Sequence, residues 1–285
     1  MLKAQPPDLI VTTHFLPADV CSTAKRTWWL PVPLVVVITN LHPHRFWISR
    51  EAEALVVSTE EGRAILERRG IDPARIHVIG IPVSPAFSEP ADRPAIIKQL
   101  GLDPARLTVL VTSGGTTVGQ FERVVQSLAS LDRQLPKRLQ LLVVCGMDEA
   151  AKERLTRFVQ RTTVPMRVFG FVSNMAELMA ASDLMVAKAG GLTVTEALAR
   201  ALPMVLYHVI PGQERLNAEY VARRGAAVIA PRPAQVVRAV RRCLEEPSRL
   251  EAMRRAARVL ARPDAAREIV SNVMEPLMAS RMAAR

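Results

Sequence analysis

The sequence contains no apolar run of the roughly 18–20 residues that an α-helix needs to cross a bilayer. Its longest apolar run, at residues 30–38, has the length of a β-strand. The first residues, MLKAQPPD, do not contain the long apolar stretch that is typical of a signal peptide. We therefore expect a cytoplasmic protein.

Cysteine and aromatic residues are also scarce. The three cysteines, Cys21, Cys145 and Cys243, are far apart in the sequence, and their spacing fits neither a metal site nor a disulfide framework. Aromatic residues make up 4% of a chain that is 49% hydrophobic, so the apolar content is mainly Ala, Val, Leu and Ile. Such a composition favours buried parallel strands that alternate with helices.

Acidic residues are too few to balance the basic ones, and the formal net charge is +11. The surplus of basic residues is pronounced at residues 223–285, where every basic residue is an arginine. A basic segment of this kind suits an anionic membrane surface or a nucleic acid. Because the arginines fall on helical patterns rather than in one compact run, solvated helix faces explain them equally well.

Short apolar runs recur along the chain, and each is followed by a stretch with helical periodicity. This alternation predicts an α/β fold with parallel sheets and crossover helices. Six runs after residue 105 suffice for a complete doubly wound domain: 108–112, 139–145, 166–171, 184–187, 204–208 and 226–230. Four runs before residue 84 are few for an independent domain of this class: 9–13, 34–39, 54–58 and 76–79.

The segment at residues 84–97 is rich in proline and has no periodicity, which predicts an interdomain linker. We therefore expect a partial N-terminal domain at residues 1–95. A C-terminal domain is expected at residues 96–285, with a helical, Arg-rich segment at its end. Both domains are expected to be Rossmann-like.

A glycine-rich turn follows the first strand of the predicted C-terminal domain. The segment VLVTSGGTTVGQ, residues 109–120, contains Gly114, Gly115 and Gly119 and leads into a helix. Glycines let the backbone approach a ligand closely, and a helix N-terminus favours an anion such as a pyrophosphate. The spacing matches neither the Walker motif nor a regular dinucleotide fingerprint, so a tight strand-to-helix turn without a ligand stays an alternative.

Two further turns have the same character. In residues 185–201 a strand leads into Gly190 and Gly191, and Thr193 or Thr195 is expected to cap the helix that follows. Glu196 could accept hydrogen bonds from vicinal hydroxyls such as those of a ribose, or it could merely offset the helix dipole.

The third turn, in residues 208–225, ends at Pro211 and Gly212, and Gln213 and Glu214 then open a helix. These two side chains can bind sugar hydroxyls, although a plain polar helix start would look the same. Open α/β sheets bind ligands at the carboxyl ends of their strands, where all three turns lie. Two anion-binding turns with nearby carboxylates suit a nucleoside diphosphate that carries a polyol.

The segment at residues 170–220 resembles the monogalactosyldiacylglycerol synthase and processive diacylglycerol glucosyltransferase family. The resemblance is carried by GFVSNMAELMAASDLMVAKAGGLTVTEALARALPMVLYHVIPGQERLNAEY, and PGQE followed by Asn217 and Ala218 is specific to the glycolipid branch. It extends upstream through VIGIPVSPAF, the first glycine-rich turn and PDLIVTTH, and so covers nearly the whole chain. These enzymes are GT-B glycosyltransferases, built from two Rossmann-like doubly wound domains.

The resemblance implies transfer of a hexose, galactose or glucose, from a UDP-sugar to diacylglycerol at the inner face of the cell membrane. It implies no cofactor and no metal, because helix dipoles and backbone amides can offset the charge of the leaving group. By position, the residues implied to bind the nucleotide-sugar are Gly114, Gly115, Gly119, Phe171, Val172, Gly190, Gly191, Thr193, Glu196, Gln213, Glu214 and Asn217. Of these, Gln213 and Glu214 are implied to hold the sugar.

The sequence departs from the family pattern in two places. The family opens with a strand and a glycine-rich loop that ends in His, and nothing before Pro7 matches it, so we expect an incomplete N-terminal domain. Asn40 stands where the family usually has Asp, whereas His44 and Trp47 match. His42 and His44 are the remaining acid/base candidates, and His44 is the catalytic one by position. A structural or surface role is the more ordinary explanation for either histidine.

Three functions stay open. The first is an inverting, metal-independent hexosyltransferase with a lipid acceptor, which does not act on nucleic acid. The second is a UDP-sugar-binding subunit, or an inactive homologue, that needs a separate N-terminal partner. The third, an epimerase of UDP-N-acetylhexosamine, conflicts with the PGQE motif.

A lipid acceptor also requires the protein to sit on a membrane surface. Trp28 and Trp29 lie beside two cations in residues 25–33, a composition suited to the headgroup region, although core packing is equally compatible.

Overall fold

The computed structural model describes residues 6–27, 30–114, 120–133, 138–209 and 212–283. Gly115, Gly119, Trp28, Trp29 and Pro211 lie outside these residues. Within them the strands are β1 (Ile10–Thr12), β2 (Leu34–Val37), β3 (Ala54–Val57), β4 (Ile76–Val78), β5 (Leu107–Thr112), β6 (Leu139–Val144), β7 (Met166–Phe169), β8 (Leu184–Ala187), β9 (Met204–Leu206) and β10 (Ala227–Ile229).

Helices alternate with these strands, as the apolar periodicity predicts. They are α1 (Phe15–Arg26), α2 (Glu60–Arg68), α3 (Arg93–Gln99), α4 (Phe121–Ala129), α5 (Glu149–Val159), α6 (Met175–Ala181), α7 (Gly191–Ala199), α8 (Gln213–Arg223), α9 (Pro233–Glu245), α10 (Pro247–Leu260), α11 (Ala265–Ile269) and α12 (Glu275–Ala283). Polar residues fix several starts: Thr59 Oγ1 accepts from the Gly62 N–H at 2.9 Å, and Asp148 Oδ1 from the Ala151 N–H at 2.8 Å. Short 3-10 turns occur at Arg45–Trp47, Pro73–Arg75, Pro85–Phe87 and Ser130–Arg133.

The chain divides into two compact units. Unit 1 consists of Met1–Val83 and Arg262–Arg285 and holds a four-stranded parallel sheet in the order β1-β2-β3-β4. The four residues of strand β2 are all apolar because both faces of this strand are buried. Leu34 and Val36 pack into a cluster with Ala18 of α1, whereas Val35 and Val37 pack on the other face, with residues of the C-terminal helices. The sheet is therefore covered on both faces.

Unit 2 consists of Ser84–Ala261 and holds a six-stranded parallel sheet in the order β10-β9-β8-β5-β6-β7. Its central strands are the longest and the most apolar. Val109 of β5 and Leu141 of β6 share a core cluster with Val125 of α4 and Val240 of α9. The predicted α/β fold with parallel sheets is thus confirmed, and each predicted apolar run overlaps one of the strands.

The domain limits differ from those expected. The break falls at Val83–Ser84, and residues 262–285 belong to unit 1 rather than to the C-terminal domain. The reason is packing: Ala265, Ile269 and Val273 are buried against the face of the unit 1 sheet that Val35 and Val56 supply. The C-terminal Arg-rich segment is therefore divided between the two units.

The proline-rich segment at residues 84–97 is ordered within unit 2 instead of forming a bare linker. Phe87 is buried, and α3 begins at Arg93, whose guanidinium forms an ion pair with Asp183. Arg200 Nη1 donates a 2.7 Å hydrogen bond to the carbonyl oxygen of Glu89. Proline spacing alone could not reveal these partners, because they lie about a hundred residues away in the sequence.

Candidate functional site

The switch point of the unit 2 sheet lies between β5 and β8. The chain runs outward from β5 to β6 and β7, and then returns to β8 on the other side of β5. In doubly wound sheets the two loops that leave such a point diverge and open a crevice at the carboxyl ends of the strands. Here the loops begin at Ser113 after β5 and at Lys188 after β8.

Gly114 lies at this crevice in a backbone conformation that favours glycine, with φ of +73°. A Cβ atom placed on Gly114 would lie 3.8 Å from Lys188 Cε, so the two loops meet here. Lys188 was not among the expected site residues, although a cation directly after a strand and before two glycines is a recognisable signal. It supplies positive charge beside the glycine-rich turn, which suits an anionic ligand.

Helix α7 begins at Gly191 with Gly190 as its N-cap residue, and no side chain caps it. The expected capping by Thr193 or Thr195 is wrong, because both residues lie inside the helix. The Thr195 hydroxyl instead donates to the Gly191 carbonyl at 2.8 Å. A helix start without a side-chain cap keeps its backbone N–H groups for another acceptor, such as phosphate.

Glu196 lies on α7, one to two turns after this start, and is partly buried. Burial raises the pKa of its carboxyl to about 7, because the charged form loses solvation. At neutral pH the group is therefore divided between its charged and neutral forms. A carboxylate in this state gains from hydrogen-bond donors that a ligand brings to it, such as the hydroxyls of a ribose.

Asn217 of α8 is buried, and its Nδ2 donates a 3.1 Å hydrogen bond to the carbonyl oxygen of Ala189. This bond ties α8 to the turn between β8 and α7, directly before Gly190. Asn217 therefore positions the turn from within the protein. Gln213 and Glu214 occupy the first turn of the same helix and are partly exposed.

Tyr207 follows β9 and was not among the expected residues. Its buried hydroxyl donates to the Thr112 carbonyl at 3.4 Å, across to the end of β5. Burial raises the pKa of Tyr207, and the negative charge of Glu214 raises it further. Glu214 is thus close to the carboxyl edge of the sheet. Phe171 and Val172 follow β7, and the Phe171 ring is 72% exposed.

His44 belongs to unit 1 and lies in an aromatic cluster with Phe15, Phe46 and Trp47. Its Nδ1 accepts a 3.2 Å hydrogen bond from the Phe46 N–H, so the neutral ring carries its proton on Nε2. Burial lowers the pKa of His44, and the charge of His14 lowers it further. Nε2 is buried and has no hydrogen-bond partner among the described residues.

No separate role for His14 was predicted from the sequence, although this residue ends the PDLIVTTH segment. Its Nδ1 accepts from the Leu16 N–H at 3.2 Å, and it caps α1 in place of the usual Ser, Thr, Asp or Asn. Its ring lies 6.4 Å from that of Trp47, centroid to centroid. The structure therefore places two histidines, His14 and His44, in one cluster.

Within the described parts of the chain, no group of three His, Cys, Asp or Glu side chains is arranged to bind a metal. None of the helices in those parts is long and apolar enough to cross a membrane. The three cysteines are free.

Both parts of the chain match known protein families in sequence. Residues 108–269 match the glycosyltransferase family 28 C-terminal domain, and residues 1–83 match monogalactosyldiacylglycerol (MGDG) synthase. A processive diacylglycerol beta-glucosyltransferase from Bacillus cereus strain AH187 is 30% identical over 275 residues, which are 96% of this chain and 69% of the relative. The corresponding protein of Bacillus thuringiensis strain Al Hakam is 30% identical over 276 residues, with the same shares covered.

Solved structures support the same architecture. Acinetobacter baumannii MurG superposes with a TM-score of 0.70 at 21% identity, covering 96% of this chain and 75% of MurG. The UDP-GlcNAc 2-epimerase of Neisseria meningitidis, bound to UDP-GlcNAc, gives a TM-score of 0.74 at 14% identity and covers 96% and 78%. The fold is of GT-B type, which MurG and the epimerase share. The chain belongs to the MGDG synthase and diacylglycerol glucosyltransferase family, whose C-terminal domain is that of glycosyltransferase family 28.

Proposed function

We propose that this protein transfers a hexose from a UDP-sugar to diacylglycerol, as the names of its relatives describe for them. The observation that carries the proposal is the uncapped start of α7, which lies beside Gly114 and Lys188 at the switch point of unit 2. Such an arrangement binds a diphosphate through backbone N–H groups and one cation. The epimerase of similar fold was solved with a UDP-sugar bound.

The donor contacts follow from this placement. The diphosphate would lie against Gly114, Gly190, Gly191 and Thr193, with Gly115 and Gly119 in the part of the first loop that is not described. Glu196 would accept hydrogen bonds from the ribose, and Gln213 and Glu214 would hold the hexose, with Asn217 fixing the turn behind them. Phe171 and Val172 would meet the uracil through their backbone. No metal is needed if these N–H groups offset the charge on departing UDP.

The reaction would be a direct displacement at the anomeric carbon, with inversion. The acceptor hydroxyl loses its proton as UDP departs. His44 is the proposed acid/base residue of unit 1. Because its Nδ1 lone pair accepts from the Phe46 N–H, the ring offers an N–H at Nε2. Because Nε2 is buried, His44 would act as the base only after its ring turns over and frees Nδ1. Nδ1 would then take the proton of the acceptor hydroxyl, while the bond from the anomeric carbon to UDP breaks and leaves its electron pair on UDP.

Binding to a membrane surface is part of the same proposal. The enzyme would work as a peripheral protein on the cytoplasmic face of the membrane, held by anionic lipid through its arginine-rich surface. Exposed arginines on α9 and α10, such as Arg238, Arg242 and Arg258, supply part of this charge.

The alternative form of the proposal is a UDP-sugar-binding subunit that needs a separate N-terminal partner.

The test measures two properties of the full chain, both in EDTA. Calorimetry with UDP reports donor binding, and labelled UDP-glucose or UDP-galactose with diacylglycerol vesicles reports transfer. Binding together with transfer supports the enzyme, whereas binding without transfer supports the subunit. No heat at millimolar UDP would rule out both forms.

A further inference from the structure

Two residues other than glycine have a positive φ in the part of the chain that the structure describes. They are Ala201, at +51°, and His208, at +44°. In this left-handed region the Cβ atom comes too close to a carbonyl oxygen, so the conformation costs free energy for any residue except glycine. Such residues need a local explanation, and they cluster at ligand-binding and catalytic sites.

The end of α7 explains the conformation of Ala201. The Ala201 N–H donates to the Leu198 carbonyl at 2.9 Å, and the Leu202 N–H donates to the Ala197 carbonyl at 2.8 Å. This pair of bonds is the Schellman motif, which ends many helices with one left-handed residue. Ala201 therefore occupies a helix terminus at the position where glycine is usual.

His208 has no such explanation, because it follows strand β9 rather than a helix. The Tyr207 N–H still donates to the Ala187 carbonyl at 3.0 Å, so regular pairing with β8 continues up to the residue before His208. His208 is half-buried, and it forms no hydrogen bond or ion pair with another described residue. The protein therefore keeps this side chain on an unfavourable backbone conformation without giving it a polar partner.

His208 lies at the carboxyl edge of the unit 2 sheet, beside the turn that leads into α7. Ala187 and Leu206 are partners in the register of β8 and β9, and Ala189 and His208 each lie two residues beyond them. Ala189 directly precedes Gly190, the N-cap residue of α7. Because neighbouring strands lie about 4.8 Å apart, an imidazole at position 208 is within reach of an anion at the start of α7.

His208 also lies close to the side chains that are proposed to hold the sugar. Its neighbour Tyr207 has a pKa that is raised by burial and, to a smaller extent, by the negative charge of Glu214. Glu214 and Gln213 belong to the first turn of α8, shortly after His208 in the chain. His208 therefore lies between the phosphate-binding start of α7 and the sugar-binding start of α8. In a UDP-hexose this junction is the β-phosphate, which joins the nucleotide to the sugar.

We propose that His208 is a further residue of the donor site and binds the β-phosphate of the UDP-sugar. An imidazole ring donates through at least one N–H in either protonation state, and its protonated form adds positive charge. The phosphate oxygens supply the hydrogen-bond acceptor that the described protein groups do not. This inference rests on the proposed function and adds one residue to its donor site.

Calorimetry with UDP and with UMP tests the proposal, since UMP has no β-phosphate. The wild type is compared with His208→Gly and His208→Ala, all in EDTA. Both substitutions should weaken UDP binding by about tenfold, the effect of losing a hydrogen bond to a charged group. Neither should change the affinity for UMP. The Ala variant is needed because glycine alone would also make the loop more flexible.

Thermal unfolding separates a binding role from a structural one. His208→Gly introduces the residue type that tolerates a positive φ, so its Tm should equal or exceed that of the wild type. Ala201→Gly is the matched control, because it relieves the same backbone conformation at the other end of β9. This control should raise Tm and should bind UDP as the wild type does.

Four results would overturn the proposal. They are an unchanged UDP affinity in both His208 variants, equal losses of UDP and UMP affinity, a loss confined to the Gly variant, and a His208→Gly protein with a lower Tm than the wild type. If the wild type binds UDP and the variants bind it equally well, this residue alone is refuted. A wild type that gives no heat with millimolar UDP refutes the proposed donor site together with it.

Discussion

Glu196 has a carboxyl whose surroundings oppose its charge, and this has a cost in stability. Burial raises its pKa from 4.5 to about 7. A group whose pKa is raised by folding gives its full stabilisation below the pKa of the unfolded chain, and loses it as pH rises through the folded pKa. The free energy of unfolding should therefore fall between pH 5 and pH 8.

Glu196→Gln should remove this pH dependence and stabilise the protein at pH 8 by about 2 kcal/mol, after allowance for partial exposure. Urea unfolding at pH 5 and pH 8 measures it. If the Gln variant kept the wild-type difference between the two pH values, the assigned pKa would be wrong.

The two carboxylates of the donor site should affect different parts of the ligand. Glu196→Ala should weaken UDP binding by about 1–3 kcal/mol, the range for losing hydrogen bonds to a charged group. Glu214→Ala should weaken a UDP-hexose relative to UDP. Calorimetry with both ligands distinguishes them, and Glu219→Ala is the control, because Glu219 lies on the same helix in an ion pair with Arg215. Equal losses for both ligands in the Glu214 variant would refute its contact with the sugar.

The start of α7 allows ligand binding to be separated from folding. Gly190 has a φ of −63°, and a Cβ placed on it would lie 3.7 Å from Thr193 Oγ1, an ordinary contact. Gly190→Ala should therefore lower the free energy of unfolding by only about 1 kcal/mol, because Ala is a poorer N-cap residue than Gly but the added methyl group meets no close contact. The same methyl group would stand where a phosphate approaches, and UDP affinity should fall by about tenfold or more.

Thermal unfolding together with UDP calorimetry checks this prediction. Gly114→Ala is the contrasting variant, because at a φ of +73° it strains the backbone and should lower stability as well. A Gly190→Ala protein that bound UDP as wild type does would move the diphosphate away from α7.

At the level of elements, the unit 2 strands could be predicted because buried parallel strands are continuous apolar runs, as β5 and β6 are. The three glycine-rich turns could be found for the same reason, since each follows such a run. The role of Asn217 could not, because its partner, the Ala189 carbonyl, lies in another loop. His14 escaped notice because histidine is an uncommon N-cap residue.

For the molecule as a whole, sequence patterns did not show which unit the last helices join. Ala265, Ile269 and Val273 give the same apolar spacing whichever sheet they pack against.

The net charge of +11 belongs to the whole molecule and leads to a prediction about membranes. Binding to vesicles should need anionic lipid and should fall as salt rises, because exposed charges are screened over about 10 Å at 0.1 M salt. Co-sedimentation with neutral and anionic vesicles at two salt concentrations measures this. Equal binding to both kinds of vesicle, or binding to neither, would remove the electrostatic attraction from the proposal.

The return of residues 262–285 to unit 1 makes unit 2 an insertion, and this sets the order of events during translation. Strands β2 and β3 leave the ribosome early, but Ala265 and Ile269, which cover one face of them, are synthesised only after all of unit 2. At about 5–20 residues per second the delay is on the order of ten seconds or more. Unit 2 can fold in that interval, while Val35, Val37 and Val56 are not yet covered by the C-terminal helices. The time needed to translate unit 2 therefore sets how long a nascent chain offers this apolar face to chaperones.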